Sequence, residues 1–304
     1  DLVCQMLKPS VLVLIGTQPE AIKIAPVVKQ LLALDAFDVF FAGSGQHVDM
    51  VLDVCAFFDL KPEMRFEQLR PGSVTELYVE CLSRAQILID SHRPDFIMVH
   101  GDTATCFAGA MAGFLNSVPV LHVESGLRTD SIFRPFPEEF NRRATALATS
   151  YHFAPTQAAY QNLISEGVDA NRIRVTGNTV IDALIDARAK VETSPEKYRS
   201  LDAFVNLSLE ESQKIVLITA HRRENFGNGI KNIISAVETL SQKFPNVQFA
   251  IPVHMNPVVA QPINTRLAHF DNVFLMQALP YDAFVFLLSK SFLVLTDSGG
   301  IQEE

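Results

Sequence analysis

Along the chain, short apolar runs that end in Gly or polar residues alternate with longer segments in which apolar positions recur every three or four residues. Continuous apolar runs joined by amphipathic helices are the pattern of βαβ units around a parallel sheet. In the first half the runs predict strands at Val11–Ile15, Val39–Ala42, Phe96–His100, Val118–Val123, Tyr151–Ala154 and Ile173–Thr176. In the second half they predict Ile215–Thr219, Val247–Val253, Val273–Met276 and Phe292–Thr296. A helix is predicted over Pro19–Leu34, with Ala21, Ile24, Val28, Leu31 and Leu32 on one face, Pro19 in the first turn and a kink at Pro26.

The segment from Ala189 to Ser212 is polar and reads as a hinge, which divides the chain into Rossmann-like α/β domains at 11–188 and 189–304. A length of 304 residues supports two such domains, each with its own core. The second is expected to be truncated, because the chain stops at Gly300-Ile301-Gln302-Glu303-Glu304, where a helix should follow the last strand.

Composition narrows the class. Hydrophobic residues make up 48% and charged residues 19%, which excludes a disordered or low-complexity chain. The 25 Lys and Arg against 34 Asp and Glu leave a net charge of −9, so broad nucleic-acid binding is not expected and any anionic ligand must be held locally. Cys4, Cys55, Cys81 and Cys106 are far apart and form neither a Cys-x-x-Cys pair nor a zinc spacing; they read as free thiols, and no metal site is expected. The start, DLVCQMLKPS, does not read as a leader, and no apolar stretch is long enough to span a bilayer. A reducing, cytoplasmic setting is expected.

In parallel sheets, ligands bind beyond the carboxyl ends of the strands, so the residues just after each strand are the candidates. The first strand runs into Gly16-Thr17-Gln18-Pro19-Glu20-Ala21-Ile22-Lys23, a Gly turn entering a helix whose first-turn N–H groups and Lys23 suit an anion. Lys23 on a solvated face is the plainer alternative. Gly43-Ser44-Gly45-Gln46-His47 begins like a dinucleotide fingerprint, but Val48 replaces the last Gly and the segment follows the wrong strand. His100-Gly101-Asp102-Thr103 sets a carboxylate at a strand end, which suits either a helix cap or acid–base chemistry; His122-Val123-Glu124 sets another on the next strand. Pro137 presents Glu138 in a helix's first turn, a position acids favour in any case. In the second half, His221-Arg222-Arg223 suits a phosphate. Ser298, Gly299 and Gly300 offer backbone N–H groups for a diphosphate, and Glu304 offers a carboxylate for ribose hydroxyls.

The order of GTQPEAIKIAP, GQH, VHGDTATC, HVESGLRT, PFPEEFNR, TGNTVID, AHRREN, PVHMNP and TDSGGIQEE resembles that of the non-hydrolysing UDP-N-acetylglucosamine 2-epimerase family, from about Val11 to Glu304. The resemblance implies two Rossmann-like domains facing a central cleft, as in glycosyltransferases of the B type. It also implies interconversion of UDP-N-acetylglucosamine and UDP-N-acetylmannosamine for surface polysaccharide precursors, by loss and return of UDP through 2-acetamidoglucal. No cofactor is implied. By motif match Asp102, Glu124 and Glu138 take the place of the catalytic carboxylates and His221 that of the essential histidine. Gln18, Lys23, Arg222, Phe284, Ser298, Gly299, Gly300 and Glu304 take substrate-binding positions, and Gln46 and His47 lie where a second, allosteric substrate would bind.

The family usually has Arg at Gln18 and at Val48, and often Gln at Leu279. Two other readings fit the same residues: a UDP-sugar-dependent glycosyltransferase of this architecture, and a UDP-sugar-binding protein of weakened activity. The implied partners are a UDP-sugar and a second copy of the chain, with no nucleic acid and no membrane.

Overall fold

The computed structural model describes residues 8–194, 214–220, 228–253 and 256–303. The chain divides into two compact units, Asp1–Ala183 and Leu184–Glu304.

The first unit is built on six parallel strands, β1 (Ser10–Ile15), β2 (Asp38–Gly43), β3 (Phe96–His100), β4 (Val120–Val123), β5 (Tyr151–Ala154) and β6 (Ile173–Val175), in the order β2-β1-β3-β4-β5-β6. Its helices are α1 (Gln18–Leu34), α2 (Val48–Phe57), α3 (Val74–His92), α4 (Ala104–Leu115), α5 (Glu138–Ala148), α6 (Gln157–Ser165) and α7 (Thr179–Thr193), which runs on into the second unit. Strand β1 is buried from Val11 to Ile15 because it lies between β2 and β3 with both faces covered, which is why its sequence is an unbroken apolar run. Leu12, Leu14, Leu88, Ile97, Val99, Cys106, Ala110 and Val120 form the core between sheet and helices; emptying a site such as Ile97 to Ala would cost about 2–5 kcal/mol.

The second unit has four parallel strands, β7 (Lys214–Thr219), β8 (Val247–Pro252), β9 (Val273–Met276) and β10 (Leu293–Thr296), in the order β10-β7-β8-β9. They alternate with α8 (Asn228–Lys243), α9 (Pro257–Leu267), α10 (Tyr281–Lys290) and the short α11 (Gly299–Glu303). Val216, Ile218, Ile234, Phe249, Ile251, Val259 and Ile263 make its core.

All ten predicted strands are present with ends shifted by at most two residues. Strand β4 starts at Val120 rather than Val118, since Pro119 has no N–H to give to a ladder. Helix α1 runs unbroken through Pro26, and its face is buried at Ala21, Ile24 and Val28 but open at Leu32, which is 53% exposed because the last turn outruns the core. Ala189 to Thr193, expected to open the hinge, form the end of α7; the rest of the hinge beyond residue 194, 195–212, lies outside the described residues. Cys55, Cys81 and Cys106 are buried free thiols, and Cys4 lies outside the described residues. No described helix is long and apolar enough to cross a membrane.

Candidate functional site

A parallel sheet opens a crevice where the strand order reverses. In the first unit that point lies between β1 and β3, whose chain continues outward to β2 on one side and to β4 on the other. The residues that follow β1, β3 and β4 carry Lys23, Asp102 and Glu124.

Gly16 opens the turn after β1. A Cβ there would stand 2.0 Å from the Thr105 hydroxyl, so the close approach of the turn to α4 requires Gly. The loop after β2 is tied to the same turn, with the Ser44 N–H donating to the Ile15 carbonyl at 2.8 Å and the His47 N–H to the Gly16 carbonyl at 2.9 Å. Thr105 accepts from the Ser44 hydroxyl at 2.8 Å and donates to Gln46 Oε1 at 2.9 Å. Gln46 is thereby half-buried as part of this turn, while His47 stands exposed just ahead of α2.

Lys23, in the second turn of α1, donates to Glu124 Oε2 at 2.5 Å, with 19% and 10% of the two side chains exposed. Glu124 holds a left-handed backbone (φ 62°) immediately after β4, a conformation that costs a non-Gly residue of order 1 kcal/mol. His100 Nε2 lies 3.7 Å from the same Glu124 oxygen, too far for a hydrogen bond. Burial, reinforced by the Lys23 charge, holds His100 well below the usual imidazole range, so it is neutral.

Asp102 follows β3 and receives both Nε (3.1 Å) and Nη2 of Arg142 on Oδ2. Burial raises its carboxyl above the ordinary aspartate value, with Arg142 pulling the other way and Glu124 adding to the rise. The Asp102 carbonyl accepts from Asn141 at 2.7 Å, and Asn141 in turn accepts from the Tyr78 hydroxyl at 2.6 Å. Glu138 begins α5, half-buried, and its charge together with that of Asp102 raises the Tyr78 phenol, whose main cause is burial. Of the first-unit residues singled out from sequence, Lys23, Asp102, Glu124 and Glu138 are brought to one end of one sheet. Gln18 is half-buried at the first position of α1.

Beneath them lie two further histidines. His122 donates to the Gly101 carbonyl at 2.7 Å and His152 pairs with the Ser125 hydroxyl at 2.9 Å; burial pushes each down to about 3. They are neutral structural posts for the loops that carry Asp102 and Glu124.

In the second unit the order reverses between β7 and β10. The Thr219 and Thr296 hydroxyls meet there at 2.6 Å, and Thr296 also accepts the Ser298 N–H at 2.9 Å. Ser298, Gly299 and Gly300 turn into α11 half-buried, and Phe284 lies half-buried in the first turns of α10. His221, Arg222 and Glu304 lie outside the described residues.

The sequence is matched over residues 29–304 by the family model of UDP-N-acetylglucosamine 2-epimerase. The chain belongs to this family. The UDP-N-acetylglucosamine 2-epimerase of Yersinia pestis is 44% identical over 295 residues, which span 97% of this chain and 78% of that protein. That of Escherichia coli K12 is 41% identical over the same shares. Among solved structures, UDP-GlcNAc 2-epimerase from Neisseria meningitidis bound to UDP-GlcNAc superposes with a TM-score of 0.91 at 41% identity, covering 97% of this chain and 79% of that one. The Methanocaldococcus jannaschii enzyme in complex with UDP-GlcNAc and UDP gives 0.81 at 28% identity, over 96% and 80%.

Three residues at this crevice are not singled out by the sequence pattern. Arg142 lies four residues after Glu138, one turn along α5, which is the signal that would have paired it with an acid near that helix. His100 has no local signal beyond closing the β3 run. Glu20 was read only as part of a turn, although Thr17-x-x-Glu20 is a capping-box spacing.

Proposed function

We propose that the chain reversibly epimerises UDP-N-acetylglucosamine at C2 to UDP-N-acetylmannosamine. The observation that carries the reading is the convergence of Lys23, Asp102, Glu124 and Arg142 at the strand-order reversal of the first sheet. A base removes the C2 proton, the C2–H electron pair becomes the C1=C2 bond, and the C1–O bond breaks with its electrons on the departing UDP. In the return step a diphosphate oxygen attacks C1, and a proton is delivered to the opposite face of C2. Electrons balance without a redox partner.

Asp102 suits the group that takes the proton. Its raised carboxyl is the better base near neutrality, and Oδ1 has no hydrogen-bond partner among the described residues. Glu124 and Glu138 supply the acid on the other face, with Glu124 held in place by Lys23. The leaving diphosphate needs donors; Lys23 and Gln18 in the first unit and Arg222, Ser298, Gly299 and Gly300 in the second are assigned that role, with His221 beside the phosphate, Phe284 against the uracil and Glu304 on the ribose. Gln46 and His47 are assigned to a second, regulatory substrate.

We further assign the chain to the cytoplasm, consistent with its buried free thiols, and to a homodimer. Helix α4 packs between α3 and α5, and together they expose Val79, Ile87, Met111, Phe114, Leu115 and Leu147, an apolar face of the kind that a second copy covers. Light scattering reporting a monomer at micromolar concentration would remove that assignment.

The test of the activity is incubation with UDP-N-acetylglucosamine alone in deuterated water. Deuterium at C2 together with the manno epimer supports the reading. Binding of the sugar nucleotide with neither outcome would replace it with a binding role.

A further inference from the structure

Glu20 is 1% exposed, yet it is a carboxylate in the first turn of a helix, where a capping glutamate ordinarily reaches back to one N–H at the protein surface. Here both oxygens are used. Oε2 accepts from the Gly16 N–H (3.0 Å), the Thr17 N–H (2.7 Å) and the Thr17 hydroxyl (2.9 Å). Oε1 leaves the helix altogether and accepts from the Thr103 hydroxyl at 2.6 Å, a contact between residues 83 positions apart. The Thr103 hydroxyl is itself the N-cap of α4, accepting the Cys106 N–H at 3.0 Å, so its own proton is left to point at Glu20. Capping alone does not explain this. A helix cap contributes about 1 kcal/mol, whereas burying a carboxylate costs more than that unless donors surround it.

The two ends of this tie are the two ends of the reacting site. Glu20 is three residues from Lys23 on α1, and Thr103 follows Asp102 directly. We propose that Glu20 is a positioning residue for the epimerisation: through Thr103 it fixes the β1–α1 turn, and the Lys23 that α1 carries, against the Asp102 corner, so that the cation and the base address the same sugar nucleotide. The inference rests on the assignment of Asp102 and Lys23 to the site. Burial pushes the Glu20 carboxyl up to about 7, against the opposing pull of its Thr103, Thr17 and Gly16 donors.

Four variants test it in steady-state turnover of UDP-N-acetylglucosamine, with thermal melts as the check on folding. E20Q keeps the size of the side chain and the α4 cap but must turn an NH2 group toward one set of donors. T103V removes the tie and the cap together, while T103S keeps both. Misplacing a reacting group by about 1 Å can cost a hundredfold, so E20Q and T103V are expected to lose about tenfold to a hundredfold in kcat with KM changed less than about threefold. T103S is expected to recover most of the loss. Folded E20Q with wild-type kcat overturns the inference, even if T103V is impaired, because then only the cap mattered. T103S as impaired as T103V overturns it as well, and this comparison stands if E20Q does not fold. D102N serves as the control: D102N that turns over normally overturns the site assignment and this inference with it, whereas inactive D102N beside normal E20Q overturns this inference alone.

Discussion

The strand-order reversals of the two sheets are the same device furnished in different ways. In the first unit the crevice receives ionised side chains, and each is held by another part of the same unit: Glu124 by Lys23, Asp102 by Arg142, and the turns beneath them by Glu20, His122 and His152. Among the described residues of the second unit, the corresponding corner shows hydroxyls and backbone N–H groups, with Thr219 and Thr296 bonded to each other and the Ser298 N–H donating to Thr296, while His221 and Arg222, which follow β7, lie outside the described residues. A group that must carry charge in a dry crevice needs a partner within the protein. A group that is to donate an N–H to a ligand is better left lightly held. The glycines show the same contrast. A Cβ on Gly16 would meet the Thr105 hydroxyl at 2.0 Å, while among the described residues one on Gly300 would meet the Ser298 hydroxyl at an ordinary 3.8 Å.

The largest effects belong to the charged crevice. E124Q and E138Q are each expected to lower kcat by about a hundredfold to ten-thousandfold, the usual range for an acid–base group, with UDP affinity changed little. Turnover within twofold of wild type in either would remove that residue from the proton-transfer set.

Next is the cost of keeping Glu20 buried. Its carboxyl is at 4.5 when unfolded and about 7 when folded, so between those values only the folded chain holds the proton. Stability contributed by Glu20 is therefore complete below the unfolded value and falls as pH rises through the window, by about 3 kcal/mol in all. The nearby titratable groups are Lys23 and Asp102 at the crevice and the Cys81 and Cys106 thiols, which burial keeps protonated throughout the window. Urea denaturation at a series of pH values should show wild type losing stability relative to E20Q between pH 4.5 and 7. A constant difference would mean that Glu20 does not titrate there.

Smaller again is the pair of glycine variants. G16A is expected to lose about 1–3 kcal/mol of stability through overpacking, whereas G300A should melt like wild type and instead weaken UDP about tenfold by crowding the N–H groups. Calorimetry and a melt on each variant check both halves, and G300A with unchanged UDP affinity would break the contrast between the crevices. Q18R should tighten UDP by about tenfold, since a charge-assisted hydrogen bond to phosphate is worth at least about 1.5 kcal/mol.

The central strands were legible because each lies between two neighbours in a parallel sheet and is buried on both faces, and so is written as an apolar run; β1 and β3 are plain examples. Asp102, Glu124 and Glu138 were legible because strand ends and helix starts fix where a short acidic side chain must stand. What sequence did not give was partnership across the chain. Glu20 reads as a cap until Thr103, 83 residues later, is found on its other oxygen, and Arg142 reads as one more cation of α5 until it is found on Asp102. The neutrality of His100, His122 and His152 is likewise a property of burial that no local pattern records. Leu32 failed for the opposite reason: its helical phase was right, but the core ended before it.

If the carboxylates of the first crevice carry the proton chemistry and nucleotide binding does not depend on them, the two can be lost separately. The direct test is to measure C2 deuterium exchange and UDP binding side by side in wild type and D102N. D102N is expected to bind UDP as wild type does and to lose C2 exchange by about a hundredfold or more. Exchange at the wild-type rate in D102N, or loss of UDP binding in step with exchange, would contradict it.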